Sequence, residues 1–532
     1  MTDSIEADYC IVGAGSAGSV VADRLTESGK LKVVVIEAGP KDWHPFIHIP
    51  AASFFLQRNP VLNWALETEP DRRVGGRRFP YPQGRVLGGT GSINAMVHVR
   101  TDPTEHEYWE KLGCEGWTWR EAERLYRKAE NYKGNTDGQR GRDGPLPVLL
   151  PDEPHVLTEA FLAASAQCGI PVHEDMNGTL REGAALFQQN RSGRFRSNPG
   201  QSYLRRARKR DNLSVITNAQ VQRILFEGTK AVGAEFRQGD KIMQVKVRRE
   251  VILSGGAFRT PHILQLSGVG KPDDLRKLGI SVVAANPAVG QNLRDHLIAR
   301  MSARLAGVRT MNETSRGAAL LKEIFAYVVA GRGLLVNSPG SAAALIRTRE
   351  GLSCPDAQLT FAPGSYDRPA KLERKPGMTV GVWGSFPESV GQVYARTADP
   401  MDAPAIVSNF LSKEEDRKVL ARAFRVARNI FAAPAFAKWF VEEVNPGNEV
   451  QTDDEIVDFA LRTGIPSGHI VGTAAMGSDA SCAVDPQLRV RGVSNLRVID
   501  ASVIPCCTVA NANAPTVMVA ERGAELVLQD LE

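Results

Sequence analysis

The stretch that decides the fold is ADYCIVGAGSAGSVVADRLTES, Ala7–Ser28. Tyr9–Val12 is a continuous apolar run closed by glycine, which reads as a buried strand. SAGSVVADRLTE then has the spacing of a helix. KLKVVVIEAG, Lys30–Gly39, supplies a second buried strand rich in Val and Ile. Strand, glycine turn, helix, strand is a βαβ unit and calls for a parallel sheet. Within the turn, Gly13 allows the tight bend, Gly15 lets the backbone approach a pyrophosphate, and Gly18 lets helix pack on strand. Ser16 and Ala17 open the helix, whose free N–H groups suit phosphate. Glu37, with Ala38 after it, ends the next strand roughly twenty residues on, where a carboxylate accepts ribose hydroxyls. The pattern indicates dinucleotide binding without choosing between NAD and FAD.

The rest of the chain sets bounds on this reading. Its 532 residues are 42 % hydrophobic and 23 % charged, which fits a globular protein of several structural units. A net charge of +5 spread over this length does not mark a nucleic-acid binder. The one basic cluster, YLRRARKR (Tyr203–Arg210), lacks interleaved aromatics and reads as a solvated helix face. Seven cysteines without a CxxC pair argue against a structural zinc site and suit a reducing compartment. No metal is expected. The N-terminus has no basic start with a long apolar stretch, so no signal peptide is expected. No uncharged apolar run reaches the ~18 residues of a membrane span. A cytoplasmic location follows as the expectation.

A second strand–turn–helix lies at REVILSGGAFRTPHILQLSGVG, Arg249–Gly270, with the helix ending near Gly268. Between the two regions, Asn212–Leu253 alternates in short segments and reads as an antiparallel meander. Residues 133–145 are glycine-rich and charged, as in a surface loop. From about 300 to 465, MTVGVWGSF reads as a strand and SKEEDRKVLARAFRVARNIFA as a helix with Ser412 as candidate N-cap. GAALLKEIFAYVVAGRGLLV, Gly317–Val336, is apolar enough for a membrane-surface helix, though a buried helix is the favoured reading. The expected class is a Rossmann-like α/β unit with a parallel sheet, joined to an α+β unit with an antiparallel sheet.

Four further segments carry chemistry. QGRVLGGTGSINAMVHVR, Gln83–Arg100, has consecutive Gly88 and Gly89 and passes close to a flat ligand without side chains in the way, or is an ordinary loop. VGQNLRDH spans Val289–His296. NLRVIDASVIPCCTVANANAPTVMVAER, Asn495–Arg522, sets Asp500 after a strand and Asn511 and Asn513 before a helix, to cap it or to face a ligand. PSGHIVGTAAMG, Pro466–Gly477, places His469, one of nine histidines, among small residues. Read alone, His469 is as readily a core or capping histidine.

Together these motifs resemble the glucose–methanol–choline oxidoreductases, an FAD-using family. The resemblance runs over nearly the whole chain in the family's order. GRVLGGTGSIN and GAFRTPHILQLSGVG look like the family's two signatures. NWALETEP, VQTDDEI and NANAPTVMVAER point towards bacterial FAD-dependent alcohol, choline and sorbose dehydrogenases. The resemblance implies an FAD-binding domain in three pieces, 1–155, 201–300 and 467–532, and a substrate domain in two, 156–200 and 301–466. It implies that His469 takes the hydroxyl proton of an alcohol, in the simplest case a primary one, as hydride leaves for the flavin N5. Asn511 then steadies the forming alkoxide. It assigns FAD to Gly13, Gly15, Ser16, Ala17, Gly18, Glu37 and Ala38 of the first motif, and to Arg85, Gly88, Gly89, Asn94, Ala95 and Val97 of the second. Val221, Gly256, Asp500, Ala501, Asn511, Ala512 and Asn513 complete the set.

This sequence departs from the family pattern in places. Ile470 follows His469 where the family has Pro, and Ala474–Ala475 stand for a common Cys-Arg. His98 occupies a position where an aromatic residue is usual, within reach of substrate or flavin edge in one reading. Ile93 replaces the histidine through which some members attach FAD, so non-covalent FAD is expected. The implied partners are an alcohol substrate and an electron acceptor, whether quinone, dye-like acceptor or oxygen, with a dehydrogenase favoured over an oxidase. The location remains cytoplasmic, or peripheral at the inner face of a membrane. An FAD-containing lyase, a non-catalytic flavin-binding protein and a nicotinamide dehydrogenase are the competing readings.

Overall fold

The computed structural model describes residues 4–135, 138–179, 181–368 and 371–531. Among shorter elements, the chain runs through β1 (Ser4–Val12), α1 (Ser16–Thr26), β2 (Val33–Ile36), α2 (Val156–Gln167), β3 (Gly183–Leu186), β4 (Leu213–Ile216), β5 (Ala219–Glu227), β6 (Lys230–Gln238), β7 (Lys241–Leu253) and α3 (Gly256–Leu266). It continues through β8 (Leu297–Leu305), β9 (Ala342–Ile346), β10 (Ala357–Ala362), β11 (Gly377–Gly384), α4 (Glu414–Ala432), β12 (Phe440–Asn445), α5 (Asp453–Thr463), β13 (Ile465–Pro466), β14 (Leu496–Val498) and α6 (Asn513–Gln529).

The first sheet has the order β4–β2–β1–β7–β6–β5, with β14 also on β7. β4, β2, β1, β7 and β14 are parallel, while β5, β6 and β7 pair antiparallel. Every residue of β2, Val-Val-Val-Ile, is buried, as a central parallel strand covered on both faces requires. α1 and α6 pack on each other over this sheet. Within the alternating Asn212–Leu253 region, β5, β6 and β7 form the expected antiparallel meander, built onto the same sheet. β4 joins the parallel sheet, and the thirteen residues of β7 serve both halves.

The second sheet, β12–β8–β11–β10–β9–β3 with β13 on β8, is antiparallel at every described pairing. One face buries Ala299, Met301, Leu359, Phe361, Val380 and Val382 against α2, α4 and α5. The other face turns towards a cavity. α4 carries Glu414, Glu415 and Asp416 in its first turn, which the helix dipole favours. Its N-cap is Lys413, not Ser412, whose N–H bonds the Ser389 hydroxyl at 2.9 Å. The fold class is thus the expected pair of α/β and α+β units. The expected break at 300/301 falls inside β8, so that strand belongs whole to the second sheet.

Two local expectations stand with a buried anchor added, and one changes. The basic cluster is a solvated face, with Arg205, Arg206, Arg208 and Lys209 exposed, yet Arg206 Nε also donates to Asp23 at 3.1 Å and Arg210 pairs with the same buried carboxylate at 3.0 Å. Within 133–145, of which 136 and 137 lie outside the described residues, Arg140 is buried on Glu130 and Asp175. None of the residues of Gly317–Phe325 is buried, and Leu321 and Phe325 are 69 % and 67 % exposed. The favoured buried-helix reading of that segment is wrong, because no described element covers its apolar face. No helix among the described residues is long and apolar enough to cross a membrane.

Candidate active site

A cavity of about 490 Å³ runs from the N-terminus of α1 to the loop bearing His469. At one end the glycines act as their spacing requires. A Cβ on Gly13 (φ +99°) would lie 2.5 Å from the Ser254 carbonyl oxygen, and one on Gly18 would lie 1.9 Å from that of Gly13. Gly89 (φ +54°) presses on Gly15, where a Cβ would come within 2.7 Å of the Gly15 Cα. The first turns of α1, α3 and α6 have no side-chain cap, and their N-cap residues Gly15, Gly255 and Ala512 all line the cavity. The N–H groups and dipoles of α1 and α6 are thereby left for an anion, while at α3 the Gly256 N–H is taken by Asp500. Glu37 Oε2 accepts the Ala14 N–H at 2.9 Å and Oε1 accepts that of Gly39 at 2.8 Å. Burial raises its pKa to about 7 against the pull of those two bonds. Uncapped helix starts beside a carboxylate at a strand end fit the pyrophosphate and ribose of a dinucleotide.

The lining includes Gly13, Gly15, Ser16, Ala17, Glu37 and Ala38 of the first motif. Of the second it includes Gly89, Asn94, Ala95 and Val97, together with Val221 and Gly256. From the C-terminal segment come Asp500, Ala501, Asn511, Ala512 and Asn513. Gly18, Arg85 and Gly88 stand outside the lining. Gly18 is packing between helix and strand, Arg85 lies over Trp64 at 5.1 Å, and Gly88 packs against Ser92 and Asn198. Asp500 spends its carboxylate on protein donors: the Gly256 N–H, the Ser502 N–H, and the Thr260 and Ser502 hydroxyls. It holds the start of α3 in place.

At the other end, His469 is held by a network that sequence reasoning only half identified. Asp295 Oδ1 accepts the backbone N–H of His469 at 2.8 Å, that of His296 at 2.8 Å and the Ser467 hydroxyl at 2.6 Å. The Asp295 pKa rises to about 6 through burial, which those donors oppose. His296 Nε2 lies 2.8 Å from the Ser385 carbonyl oxygen, which can only accept. His296 therefore carries its proton on Nε2 and offers a lone pair at Nδ1. That nitrogen is 3.0 Å from His469 Nδ1, so His469 is protonated at Nδ1 and bare at Nε2. Asn511 Nδ2 donates to His469 Nε2 at 2.9 Å, while Asn511 Oδ1 is buried without a partner. Burial foremost, then the charge His296 acquires in acid, holds the His469 pKa well below its usual value. The bare Nε2 thus stays an acceptor at neutral pH. The ligand atoms of Asp295, His296 and His469 lie within 4.8 Å of one another, but the hydrogen bonds above already engage all three groups.

Small residues around His469 serve the protein more than a ligand. Gly472 (φ +88°) abuts the Asn292 carbonyl oxygen at 2.3 Å from a notional Cβ, and Val471 and Ala474 are core. Only Pro466–Ile470 of that run lines the cavity. Trp383 on β11 closes the site, 6.1 Å from each histidine ring and stacked on His296. His296 and Trp383 carry no signal of their own in the sequence. His296 ends the VGQNLRDH motif, and Trp383 is one apolar residue of a strand. His98 is not in the lining; its Nε2 meets Glu130 at 2.8 Å in a buried network with Arg100 and Arg140.

Comparison with known proteins gives a consistent picture. Residues 7–298 and 387–520 match the N- and C-terminal models of a family described as GMC oxidoreductase. The chain is 37 % identical to the alcohol dehydrogenase [acceptor] of Pseudomonas putida, covering 99 % of this chain and 96 % of that one. It is 38 % identical to the mitochondrial choline dehydrogenase of Homo sapiens, covering 98 % and 90 %. Among solved structures, pyridoxine 4-oxidase from Mesorbium loti superposes with a TM-score of 0.89 at 28 % identity, over 98 % of this chain and 99 % of that one.

Proposed function

Because the chain belongs to the GMC oxidoreductase family and is an FAD-dependent alcohol oxidoreductase, we propose that His469 and Asn511 carry its chemistry. The observation that carries this is the chain His296–His469–Asn511, which ends in the same cavity as the dinucleotide cradle. A bound FAD would supply the hydride acceptor for the carbinol carbon. The glycine turn, Glu37 and the starts of α1 and α6 would hold its pyrophosphate and ribose. No histidine stands at Ile93, which supports non-covalent binding.

His469 Nε2 takes the hydroxyl proton, since its lone pair faces the cavity and its Nδ1–H is committed to His296. An alcohol hydroxyl entering the site replaces the Asn511 contact at Nε2. The Asn511 amide then donates to the developing alkoxide, in place before charge appears. His296 and Asp295 are positioning residues, one holding the tautomer and the other the loop. Trp383 keeps water from the ring pair. We favour a dehydrogenase, since the more similar sequence relatives carry that name.

The test is the visible spectrum of the holoenzyme under anaerobic conditions with a panel of alcohols. One alcohol class should bleach the flavin bands, and His469→Ala should slow bleaching by about 10²-fold or more. Slow return of colour with oxygen supports the dehydrogenase. An intact flavin that no alcohol bleaches refutes the reading.

For partners, the exposed side chains Leu321, Ile324, Phe325, Val328 and Val329 support contact with a membrane surface. Exposed Lys322 and Arg332 flank them, while Glu323, the acid among them, bonds the Leu334 N–H. Apolar side chains ringed by cations suit an anionic bilayer. Co-sedimentation with anionic but not with neutral vesicles, lost in Leu321→Asp/Phe325→Asp, checks it.

A further inference from the structure

We propose that the alcohol oxidised here carries a carboxylate, bound by the guanidinium of Arg300. The proposal rests on the reading of the cavity as an alcohol-oxidising site and names the substrate class for it.

Along β8, Ala299, Met301 and Ala303 point into the core, so the alternate residues Ile298 and Arg300 point into the cavity. Opposite Arg300 on β11 stands Gly381, which sets no side chain against the guanidinium. The guanidinium carbon lies over the Tyr366 ring, 5.4 Å from its centroid. Among the described residues no carboxylate pairs with Arg300, and only Tyr366 offsets the loss of water that lowers its pKa. Buried arginines elsewhere have acceptors: Arg100 and Arg140 share Glu130, Arg191 holds Asp152 and Arg497 holds Glu250, while Arg181, Arg196 and Arg259, which lack a carboxylate, donate to carbonyl oxygens; among the described residues no acceptor takes the Arg300 guanidinium. A guanidinium withdrawn from water without a counter-ion is costly, and facing a ligand cavity it is completed by the ligand.

The rest of the lining narrows the anion. Its acids, Glu37 and Asp500, are engaged at the dinucleotide end, and its other arginine, Arg259, lies over Trp64 at 4.7 Å. One planar fork with no second cation beside it among the described residues matches a singly charged carboxylate held by two parallel bonds. Among the described residues the same wall has no acid to receive a quaternary ammonium. The position is also right. The pairing of Ala299 with Val382 puts Ile298 across from Trp383, whose ring touches that of His469. Arg300 is two residues further, about 7 Å along the strand. The carboxylate therefore sits several bonds from the carbinol.

The experiment uses purified holoenzyme and a series of ω-hydroxy carboxylates of increasing length, each beside its methyl ester, with choline as the cationic arm. Anaerobic flavin bleaching should favour one acid over its ester by about tenfold or more in kcat/KM, with choline slowest. In Arg300→Met that ratio should collapse by about the same factor. Arg300→Lys, which keeps the charge and loses the fork, should recover part of it. Calorimetry gives a readout without turnover: alkanoates lacking the hydroxyl should bind the wild type more tightly than the matching amides. If esters outrun acids, or alkanoates bind no better than amides, the carboxylate assignment is overturned while alcohol oxidation stands. If alkanoates bind through Arg300 yet no alcohol of any charge bleaches the flavin, the anion site stands and the alcohol reading fails. Should Arg300→Met not fold, the wild-type acid–ester comparison decides alone.

Discussion

Replacing His296 with Leu tests the tautomer argument most directly. In the wild type, His469 Nδ1–H has one acceptor, His296 Nδ1 at 3.0 Å, and that ring is anchored by the Ser385 carbonyl oxygen at 2.8 Å. Leucine fills the space beside Trp383 but accepts nothing. A buried N–H left without an acceptor costs about 1–3 kcal/mol. That penalty falls on the competent tautomer alone, because with the proton on Nε2 His469 can donate to the idle Asn511 Oδ1. The competent fraction, and with it kcat/KM, should drop by about 5- to 150-fold. FAD occupancy should be unchanged, since His296 is outside the dinucleotide cradle. The assay is anaerobic flavin bleaching by a good alcohol, followed from acid to neutral pH. In the wild type, kcat/KM should be flat above pH 6.5 and fall only in acid, because His469 titrates well below that value. Without the positive charge His296 acquires in acid, the acid limb of His296→Leu should move upward. His296→Gln, which supplies a carbonyl acceptor, should recover part of the loss. A His296→Leu enzyme with full flavin, kcat/KM within about twofold of wild type and an unmoved acid limb would refute the reasoning.

Glu37→Gln replaces one of two acceptor oxygens with an amide that faces a backbone N–H, so FAD affinity should fall by about tenfold in a fluorescence-quenching titration of apoprotein. Gly89→Ala puts a Cβ 2.7 Å from the Gly15 Cα at a positive φ, and should lower FAD content and cost about 1–3 kcal/mol in denaturant unfolding. Stability should peak near pH 6.5, read as the melting temperature across pH. His106 and His296 are held down to about 4, His262 to about 3 and His469 well below its usual value, chiefly by burial, so below 6.5 the unfolded chain takes up four protons that the fold refuses. Glu37, Glu105 and Asp295, raised by burial to about 7, about 8 and about 6, oppose this but are outnumbered below 6.5; above it the histidines no longer contribute and the stability held by Glu37 and Glu105 is lost as pH rises through their values.

The sequence by itself determined the parallel core and the dinucleotide cradle. A βαβ unit is local: the glycines, the helix start and Glu37 lie within one short stretch, and backbone sterics force their arrangement wherever the chain goes afterwards. The motif resemblance also picked out His469 and Asn511. Tertiary structure alone decided what those residues are able to do. His296 and His469 are 173 positions apart, and the pairings of Arg294 with Val471 and of Leu297 with Pro466 bring their rings together and set which nitrogen is bare. Arg300 in the sequence is one basic residue in an alternating strand. It becomes a binding group only because the second sheet turns that face to the cavity and no carboxylate follows it there. The apolar segment Gly317–Phe325 failed from sequence for the same reason. Composition says that a face is apolar, but burial depends on whether another element arrives to cover it, and long-range packing decides that.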